Sequence, residues 1–318
     1  MAEESTNFSH LPVMVGEIGS VLGAVPPGVV VDATVGGGGH AEALLAARPD
    51  LEVVGLDQDP TALAAAEVRL ARFGARVTLR RTRFDRVAEV VRALGHDEVA
   101  GVLFDLGVSS PQLDRAERGF SYRAAGPLDM RMDPEGDRTA DDVVNRYPQA
   151  ELARVLREHG DERYAARVAA AIVAARPVGD TATLAAVVRD AIPAAARRRG
   201  GHPAKRTFQA IRIEVNAELE ILAGALDDAI ALLVPGGRIA VLAYHSGEDR
   251  IVKERLRVAA TGGCTCPPGL PCACGAVPLV RLLKRGAWKP SAAEIAANPR
   301  AESARLRAAE RLPMPEAA

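Results

Sequence analysis

The sequence predicts an α/β protein with a mostly parallel β-sheet that an all-helical inserted domain interrupts. Apolar strands and helices alternate strictly from Val29 to Phe104, a pattern typical of parallel sheets with right-handed crossover connections. From about Asp141 to Ile192 the sequence contains only helical patterns. The alternation then resumes and leads to an apolar strand at Arg238–Ala243. We therefore expect one α/β domain with an insertion and no internal repeat.

The first half of the chain contains four short apolar runs separated by helical patterns. Pro49 ends the first helical pattern, because proline cannot continue a helix, whereas Pro60 suits the first turn of the next one. We expect strands at Val29–Asp32, Leu51–Asp57, Val77–Arg81 and Gly101–Phe104. We expect helices at Ala41–Ala47, Pro60–Phe73 and Val87–Leu94.

The second half of the chain contains the insertion and the return to the sheet. We expect helices at Gln149–His159, Glu162–Arg176, Thr183–Ile192 and Phe208–Leu233. Pro235 and two glycines then form a turn before the last strand. The predicted organisation is a discontinuous α/β domain at 1–108 and 206–290, an inserted loop and helical substrate-recognition domain at 109–205, and a C-terminal tail at 291–318.

The composition is that of an ordinary globular protein. The chain has 318 residues, of which 48% are hydrophobic and 25% charged, and a net charge of −1. Such a charge predicts no overall attraction to nucleic acid or to an anionic membrane, so a polyanion must be bound by a local patch. The polar N-terminus is not a secretory signal, and no run approaches the ~18 apolar residues of a membrane span. We expect a cytoplasmic protein that does not bind membranes.

One basic cluster is visible in the sequence. The segment Arg197–Arg212 contains no acid. This segment is either an RNA-binding surface or a solvated basic loop. Its cationic residues are Arg197, Arg198, Arg199, Lys205, Arg206 and Arg212.

A long irregular segment follows the strand at Gly101–Phe104. Neither helical nor strand periodicity is present in Leu106–Asp133, and Gly and Pro punctuate it. A segment of this length inside a compact protein is usually functional or disordered, and its aromatics and paired charges argue against disorder. Ligands of open α/β sheets bind beyond the carboxyl ends of strands. We therefore expect this segment to form the floor of an active site.

A glycine-rich loop and an acidic residue indicate a nucleoside ligand. Gly36 to Gly39 connect a predicted strand to a predicted helix, which lets a ligand approach the backbone amides closely. Asp57 ends the next strand, where an acid can accept both ribose hydroxyls. The glycine pattern also fits a nicotinamide-dependent oxidoreductase, and it fits a simple tight turn. A ligand that contains adenosine best fits the combination of the glycine loop and Asp57, but the loop alone does not identify the ligand.

Several segments together resemble the bacterial 16S rRNA (cytosine N4)-methyltransferases. The matching segments are His10–Val13, Asp32–His40, Leu56–Pro60, Gly101–Asp133, His202–Ile213, Asp249–Lys253 and Asn298–Arg300. The resemblance implies a Rossmann-like class I methyltransferase fold and S-adenosyl-L-methionine as cofactor. It also implies methylation of the N4 amine of a decoding-centre (P-site) cytidine in 16S rRNA within the small ribosomal subunit.

The resemblance also implies a set of cofactor-binding residues. These are Gly38, Gly39, His40, Asp57, Phe84, Asp105 and Gln112. The glycine loop, Asp57 and Asp105 are also indicated by the sequence pattern itself, whereas Phe84 and Gln112 are not. The chain departs from the usual family pattern at Tyr244, where phenylalanine is more common, at Gly247, where a bulky apolar residue is usual, and at Glu302, a usually basic position.

Asp105 and His245 are the candidate catalytic residues. The exocyclic amine of cytosine is a poor nucleophile, so catalysis depends on alignment and on an acceptor for its N–H. Asp105, or a nearby backbone carbonyl, is the candidate acceptor; Ser109 and Ser110 are weaker ones. His245 contacts either the base or the protein. Ser246 and Asp249 next to it form a capping-box pattern with Ser246 as N-cap, which favours a structural role for this segment. The aromatics expected to stack on an extruded base are Phe120, Tyr122, Phe208 and Tyr244.

Four cysteines form two Cys-x-Cys pairs separated by five residues. In an extended chain residues i and i+2 share a face, so a tight turn between the pairs can bring four sulfurs around one metal ion. The spacing differs from the usual two-residue zinc knuckle, and a reduced loop or disulfides are alternatives. The sequence leaves the three open for Cys264, Cys266, Cys272 and Cys274.

The functional hypothesis that follows is an rRNA N4-cytidine methyltransferase. Two alternatives remain at this point, a nicotinamide-dependent oxidoreductase and a non-catalytic ribosome-assembly protein that keeps the fold. The sequence indicates neither the oligomeric state nor whether the substrate is naked rRNA, although the resemblance favours the assembled subunit.

Overall fold

The structure, a computed structural model, describes residues 12–197, 201–267 and 273–313, with only the backbone of Ser110. The chain divides into two compact units, one formed by Met1–Gly107 and Ile221–Ala318 and the other by Val108–Glu220. None of the helices among the described residues is long and apolar enough to cross a membrane.

The first unit is built on a seven-stranded sheet with the order β3-β2-β1-β4-β5-β7-β6. The strands are β1 (Gly28–Asp32), β2 (Leu51–Asp57), β3 (Val77–Arg81), β4 (Val99–Asp105), β5 (Leu233–Ala243), β6 (Val280–Leu282) and β7 (Arg305–Arg311). β1 to β5 pair in parallel, and β7 pairs antiparallel with β5 and β6. The order of the first five strands is the doubly wound Rossmann order. The predicted Rossmann-like fold with a mostly parallel sheet is confirmed.

Helices accompany both the sheet and the insertion. They are α1 (Val15–Leu22), α2 (Gly39–Ala47), α3 (Pro60–Leu70), α4 (Val87–Ala93), α5 (Ser110–Asp114), α6 (Gln149–Gly160), α7 (Ala165–Ala174), α8 (Thr181–Ala191), α9 (Ala194–Arg197), α10 (Lys205–Asn216), α11 (Glu218–Leu232), α12 (Ser246–Thr261) and α13 (Ala292–Ala297). Short 3-10 segments lie at Ala71–Arg76, Phe84–Arg86, Ala116–Arg118 and Pro299–Ser303, and a π-helical turn at Asp142–Arg146.

The central strands are apolar because helices cover both faces of the sheet. β4 is buried over its whole length except Asp105, and β1 except Gly28. A parallel sheet covered on both faces requires such continuous apolar runs, in contrast to the alternating pattern of a half-exposed strand. Polar residues are therefore confined to the ends of these strands, next to the loops. This restriction places Asp32, Asp57 and Asp105 at the same edge of the sheet.

The second unit is helical and has its own apolar core. α6 packs against α10 and α7, and α7 packs against α8. Residues of α10, including Phe208 and Ile211, belong to this core. The unit therefore extends to Glu220, beyond the predicted boundary at 205.

The C-terminal segment is part of the sheet. We predicted a tail at 291–318, but β7 lies between β5 and β6 and pairs with both. Leu306 and Ala309 in β7 are fully buried. The residues of β7 are buried or half-buried, and its sequence Arg-Leu-Arg-Ala-Ala-Glu-Arg is rich in alanine and arginine. In the sequence it therefore looks more like a helical or polar segment than a strand.

The long helix predicted at Phe208–Leu233 is two helices. Ala217, which follows α10, has φ of 53° and breaks the helix in the left-handed region. Asn216 fixes the break, because its side chain donates to Met130 O at 2.8 Å and accepts from Met132 N at 2.8 Å. These tertiary hydrogen bonds override a periodicity that continues through the break.

The segment Leu106–Asp133 is not wholly irregular. It contains α5 and the 3-10 turn Ala116–Arg118. Ser109 precedes α5, and its backbone N–H donates to Oε1 of Gln112 at 3.0 Å. Ser-x-x-Gln with a proline in the first helical turn is a helix-start signal, so this short helix could have been predicted from the sequence.

Candidate functional site

The glycine-rich loop joins β1 to α2. Gly36 and Gly38 have φ of 51° and 80°, in the left-handed region that favours glycine. A Cβ on Gly39 would lie 2.9 Å from the Pro12 side chain, so this position also requires glycine. α2 begins at Gly39 with no side-chain cap, and the first amides of a helix attract polar or anionic ligands. The backbone of this loop is therefore suited to the cofactor contacts predicted at Gly38 and Gly39.

Asp57 is held beside this loop at the end of β2. Its Oδ2 accepts from Gly36 N at 2.9 Å, and its Oδ1 accepts from Asp59 N at 2.9 Å. Burial raises the pKa of Asp57 to about 6, although these backbone donors act in the opposite direction. A carboxylate has about four lone-pair positions, so acceptor capacity remains for a further donor. Asp57 is thus oriented by the loop and still able to accept from hydroxyls.

Phe84 follows β3 and opens the 3-10 turn Phe84–Arg86. Its ring is partly buried and packs edge-on against Phe104 of β4, with centroids 5.8 Å apart. Phe84 therefore packs against the core, and part of this residue stays accessible at the carboxyl end of the sheet.

Asp105 is the centre of a hydrogen-bonded group at the end of β4. Its Oδ1 accepts from the Tyr244 hydroxyl at 2.8 Å, and its backbone N–H donates to Thr34 Oγ1 at 2.6 Å. Nε2 of His40 lies 3.4 Å from its Oδ2. The loop after β1, helix α2 and the residue after β5 thus all contact Asp105 at the end of β4. Burial, together with Asp105, raises the pKa of Tyr244 well above its usual value, so its hydroxyl is a donor.

His40 lies in the first turn of α2 and is buried. Burial disfavours its cation, but the neighbouring Asp105 and Asp32 outweigh burial and raise its pKa above the usual value. Its Nδ1 is buried and has no hydrogen-bond partner among the described residues. A buried, unpartnered ring nitrogen beside a glycine loop fits a site that receives a polar ligand.

Asp32 also belongs to this group, although it is not among the site residues predicted from the sequence. It ends β1, is 2% exposed, and accepts from Thr34 N at 3.3 Å. Burial raises its pKa to about 7; His40 lowers it, and Asp105 and Asp57 raise it further. The signal was present in the sequence, since Asp32 ends an apolar strand as Asp57 and Asp105 do.

His245 caps α12. Its Nδ1 accepts from Gly247 N at 3.2 Å and Glu248 N at 3.4 Å, and the buried Glu248 carboxylate accepts from Tyr244 N at 2.7 Å and His245 N at 3.2 Å. The predicted N-cap, Ser246, was therefore wrong by one residue. Asp249 pairs instead with Arg307 at 2.7 Å. These contacts give His245 a structural role at the start of α12. Its Nε2 lies 3.0 Å from Oε1 of Glu248, and its proposed contact with a base stays a prediction.

Gln112 and three of the four aromatics belong to the second unit. Gln112 is buried and caps α5. Phe120 and Phe208 are buried in the core of that unit, which is a packing role and not the predicted stacking on a base. Tyr122 stacks on His202 with centroids 4.4 Å apart.

The basic cluster Arg197–Arg212 is partly neutralised. Arg212 makes a bidentate ion pair with Glu218 at 2.8 and 2.9 Å, and Arg197 lies 3.6 Å from Asp190. Arg198 and Arg199 lie outside the described residues. Arg212 is therefore removed from the predicted phosphate contacts, because breaking its pair would leave a buried carboxylate unpaired.

The strand order, the glycine loop and the acids at the ends of β1, β2 and β4 are those of a Rossmann-like protein and fit a class I methyltransferase. The profile of the MraW methylase family matches residues 7–312. This chain belongs to that family. The cofactor predicted from the sequence, S-adenosyl-L-methionine, is confirmed for this class of methylase. The buried Nδ1 of His40 and the remaining acceptor capacity of Asp57 fit such a ligand.

The related proteins have one name in common. The ribosomal RNA small subunit methyltransferase H of Thermobifida fusca (strain YX) is 54% identical over 315 residues, 95% of this chain and 93% of the relative. The protein of the same name from Heliobacterium modesticaldum (strain ATCC 51547 / Ice1) is 52% identical over 311 residues, 96% of this chain and 99% of the relative. A solved rRNA methylase from Streptococcus thermophilus is 12% identical, with a TM-score of 0.42 over 94% of this chain and 95% of its own.

Proposed function

We propose that this protein transfers a methyl group from S-adenosyl-L-methionine to the N4 amine of a decoding-centre (P-site) cytidine in 16S rRNA. The observation that carries the proposal is the group around Asp105, in which a carboxylate at the end of β4 contacts Tyr244 and His40 beside the glycine loop. The names of the relatives support a small-subunit rRNA substrate. The sequence resemblance supports cytosine N4 as the acceptor and the assembled subunit in the cytoplasm as the substrate.

The cofactor-binding residues are proposed from the loop and the strand ends. Backbone amides of Gly38 and Gly39 would contact the polar part of the cofactor, since they lie at an uncapped helix start. Asp57 would accept from the ribose hydroxyls. Phe84, whose ring is only partly buried, would lie near the adenine. His40, Asp105 and Gln112 complete the proposed set.

The charge of the site suits a cationic methyl donor. When bound, the cofactor supplies a methyl group on a positively charged sulfonium. Asp32, Asp57 and Asp105 end three adjacent strands, and their mutual repulsion contributes to the raised pKa of Asp32. A positive charge placed at this edge would stabilise all three carboxylates. His40 is the basic side chain beside them; burial lowers its pKa, but Asp105 and Asp32 outweigh burial and raise it.

Asp105 is the proposed acceptor for a proton of the target amine. The N4 nitrogen becomes more nucleophilic when a carboxylate accepts one of its N–H groups, and it must lose a proton once it carries the methyl group. Tyr244 and Thr34 hold Asp105 in place through its side chain and its backbone. Nε2 of His40 lies 3.4 Å from Oδ2 of the same carboxylate. Each of these residues positions Asp105 and does not itself contact the reacting atoms.

Methyl transfer to small ribosomal subunits tests the proposal. Subunits from cells that lack the enzyme are incubated with the protein and isotope-labelled S-adenosyl-L-methionine, and the rRNA is digested to nucleosides. We expect the label in N4-methylcytidine at one site. Label in another nucleoside would overturn the N4 assignment. Binding to the subunit without label transfer would support a non-catalytic assembly protein, and a nicotinamide-dependent activity would support the oxidoreductase alternative.

A further inference from the structure

A cluster of cysteines lies outside the proposed site, in the segment between α12 and β6. We define the thiol cluster as Cys264, Cys266 and Cys274. Their three Sγ atoms lie within 4.8 Å of one another, and those of Cys264 and Cys274 are 3.6 Å apart. Among the described residues these three form no disulfide. Cys272 lies outside the described residues.

The backbone brings the two ends of this segment together. α12 ends at Gly262, which has φ of 62°, and Gly263 follows with φ of 72°. A Cβ on Gly262 would lie 2.5 Å from the backbone of Val277, so glycine permits a close chain crossing there. Leu279 N donates to Ala259 O at 2.8 Å. The segment is thus closed at its base, which fixes the thiols near one another whether or not anything binds them.

The closest pair of sulfurs has the spacing of two ligands in a tetrahedral metal site. With Zn–S bonds of about 2.3 Å, two thiolates on one zinc ion lie about 3.8 Å apart, close to the 3.6 Å between Cys264 and Cys274. Thiolates select zinc over the hard cations that prefer oxygen ligands.

We propose that the thiol cluster binds one zinc ion and that the ion is structural. Cys264, Cys266 and Cys274 each lose a proton and donate a thiolate to the metal. The ion would tie the end of α12 to the segment that leads into β6, an edge strand of only three residues. None of these cysteines belongs to the group around Asp105, so no step of methyl transfer passes through the metal.

Zinc content and a cobalt spectrum test the proposal. The tag-free protein is purified with a reductant, dialysed against a weak chelator and analysed for metal by mass spectrometry. We expect about one zinc per chain. The cobalt-substituted protein should show thiolate-to-cobalt charge transfer and the intense visible bands of tetrahedral cobalt. Cys264→Ser, Cys266→Ser and Cys274→Ser should each lose the metal and lower the midpoint of thermal unfolding.

Two further variants complete the experiment. Thr265→Ala is the matched control, because Thr265 is exposed and lies between two of the proposed ligands; it should keep the zinc. Loss of zinc in Cys272→Ser would identify the fourth ligand, whereas retention would assign the fourth position to solvent. Wild-type protein without zinc, with four thiols that react freely with Ellman's reagent, would overturn the proposal. A mass lower by two hydrogens per bridge would overturn it in favour of disulfides.

Discussion

Asp57 is the residue whose role in cofactor binding is most directly measurable. Its carboxylate already accepts from Gly36 N and Asp59 N, so replacing it by alanine removes a ligand contact and two loop contacts together. Asp57→Ala should weaken S-adenosyl-L-methionine binding by about 1.5–3 kcal/mol, the usual cost of losing a charged acceptor, without unfolding the protein. Asp57→Asn keeps one acceptor for the loop and is the matched variant. Unchanged affinity of both variants in calorimetric titration would remove Asp57 from the site.

The pH dependence of binding gives a second test of the same residue. The pKa of Asp57 is raised to about 6 by burial, and only the anion accepts from both ribose hydroxyls. Wild-type affinity should therefore fall as the pH drops below about 6. Asp57→Asn should lose this dependence. If the wild-type affinity is flat from pH 5 to pH 8, the ribose contact is made elsewhere.

Asp105 should affect turnover more than binding. Asp105→Asn keeps the size of the side chain but removes the charge that draws density from the target amine. We expect cofactor affinity within about tenfold of wild type and a turnover at least ~100-fold lower. Tyr244→Phe is the control, because it removes only the hydroxyl that orients Asp105; its loss of turnover should be smaller. Single-turnover rates near wild type in Asp105→Asn would leave the residue with a structural role.

Asp32 should make the protein less stable as the pH rises. Its carboxyl is buried, and its pKa is about 7 in the folded protein, against 3.8 for an ordinary aspartate. Between these values the folded state keeps a proton that the unfolded state has lost, so stability present below pH 3.8 is lost as the pH rises through about 7. The difference is on the order of 4 kcal/mol.

Asp32→Asn should remove this pH dependence. The amide keeps the acceptor for Thr34 N and carries no charge at any pH. Relative to wild type, the variant should gain unfolding free energy between pH 4 and pH 8. Urea unfolding across that range measures the gain, and parallel curves for the two proteins would contradict the assigned protonation of Asp32.

At the scale of single elements, substitutions at the start of α12 can distinguish a structural from a catalytic role of His245. His245 caps the helix through Nδ1, and Glu248 completes the capping box. Asparagine is also a good N-cap, so His245→Asn should keep stability within about 0.5 kcal/mol, whereas His245→Ala should lose about 1 kcal/mol. Turnover of His245→Asn should stay near wild type. A normal melting midpoint with a collapsed turnover would instead assign His245 a contact with the substrate.

Helices and strands that depend on local sequence patterns were predictable, whereas those that depend on contacts between residues far apart in the sequence were not. β2 and β3 have the predicted bounds, since their apolar runs end at a charged residue or turn. The break at Ala217 depends on bonds from Asn216 to Met130 and Met132, which no local pattern encodes. β7 is a strand because β5 and β6 offer open edges on either side of it.

The same distinction applies to the candidate site. Gly38, Gly39, Asp57 and Asp105 were predictable, since their chemistry follows from position after a strand. His40 and Phe84 required the family resemblance. The contact between Tyr244 and Asp105 joins residues 139 positions apart, so only the three-dimensional fold brings them together.

For the whole molecule, a net charge of −1 requires that RNA be bound by a local basic surface. Arg212 does not contribute, because Glu218 holds it. Arg197 keeps this capacity, since its pair with Asp190 is a surface ion pair, and such pairs contribute about 0–1 kcal/mol. The remaining contribution to the predicted RNA surface rests on Arg198, Arg199, Lys205 and Arg206.

Replacing Arg197, Arg198 and Arg199 together by alanine should therefore weaken subunit binding in a salt-dependent way. Each lost phosphate contact lowers the slope of log affinity against log salt by roughly 0.7–0.9, so the slope should flatten by about two if all three arginines reach phosphate. Cofactor affinity should not change. The charge-matched control replaces Arg146, Arg257 and Arg281, which lie in exposed ion pairs elsewhere. If the two triple variants have equal slopes, the salt dependence reflects net charge alone. The RNA-binding surface would then be sought at Arg115–Arg131.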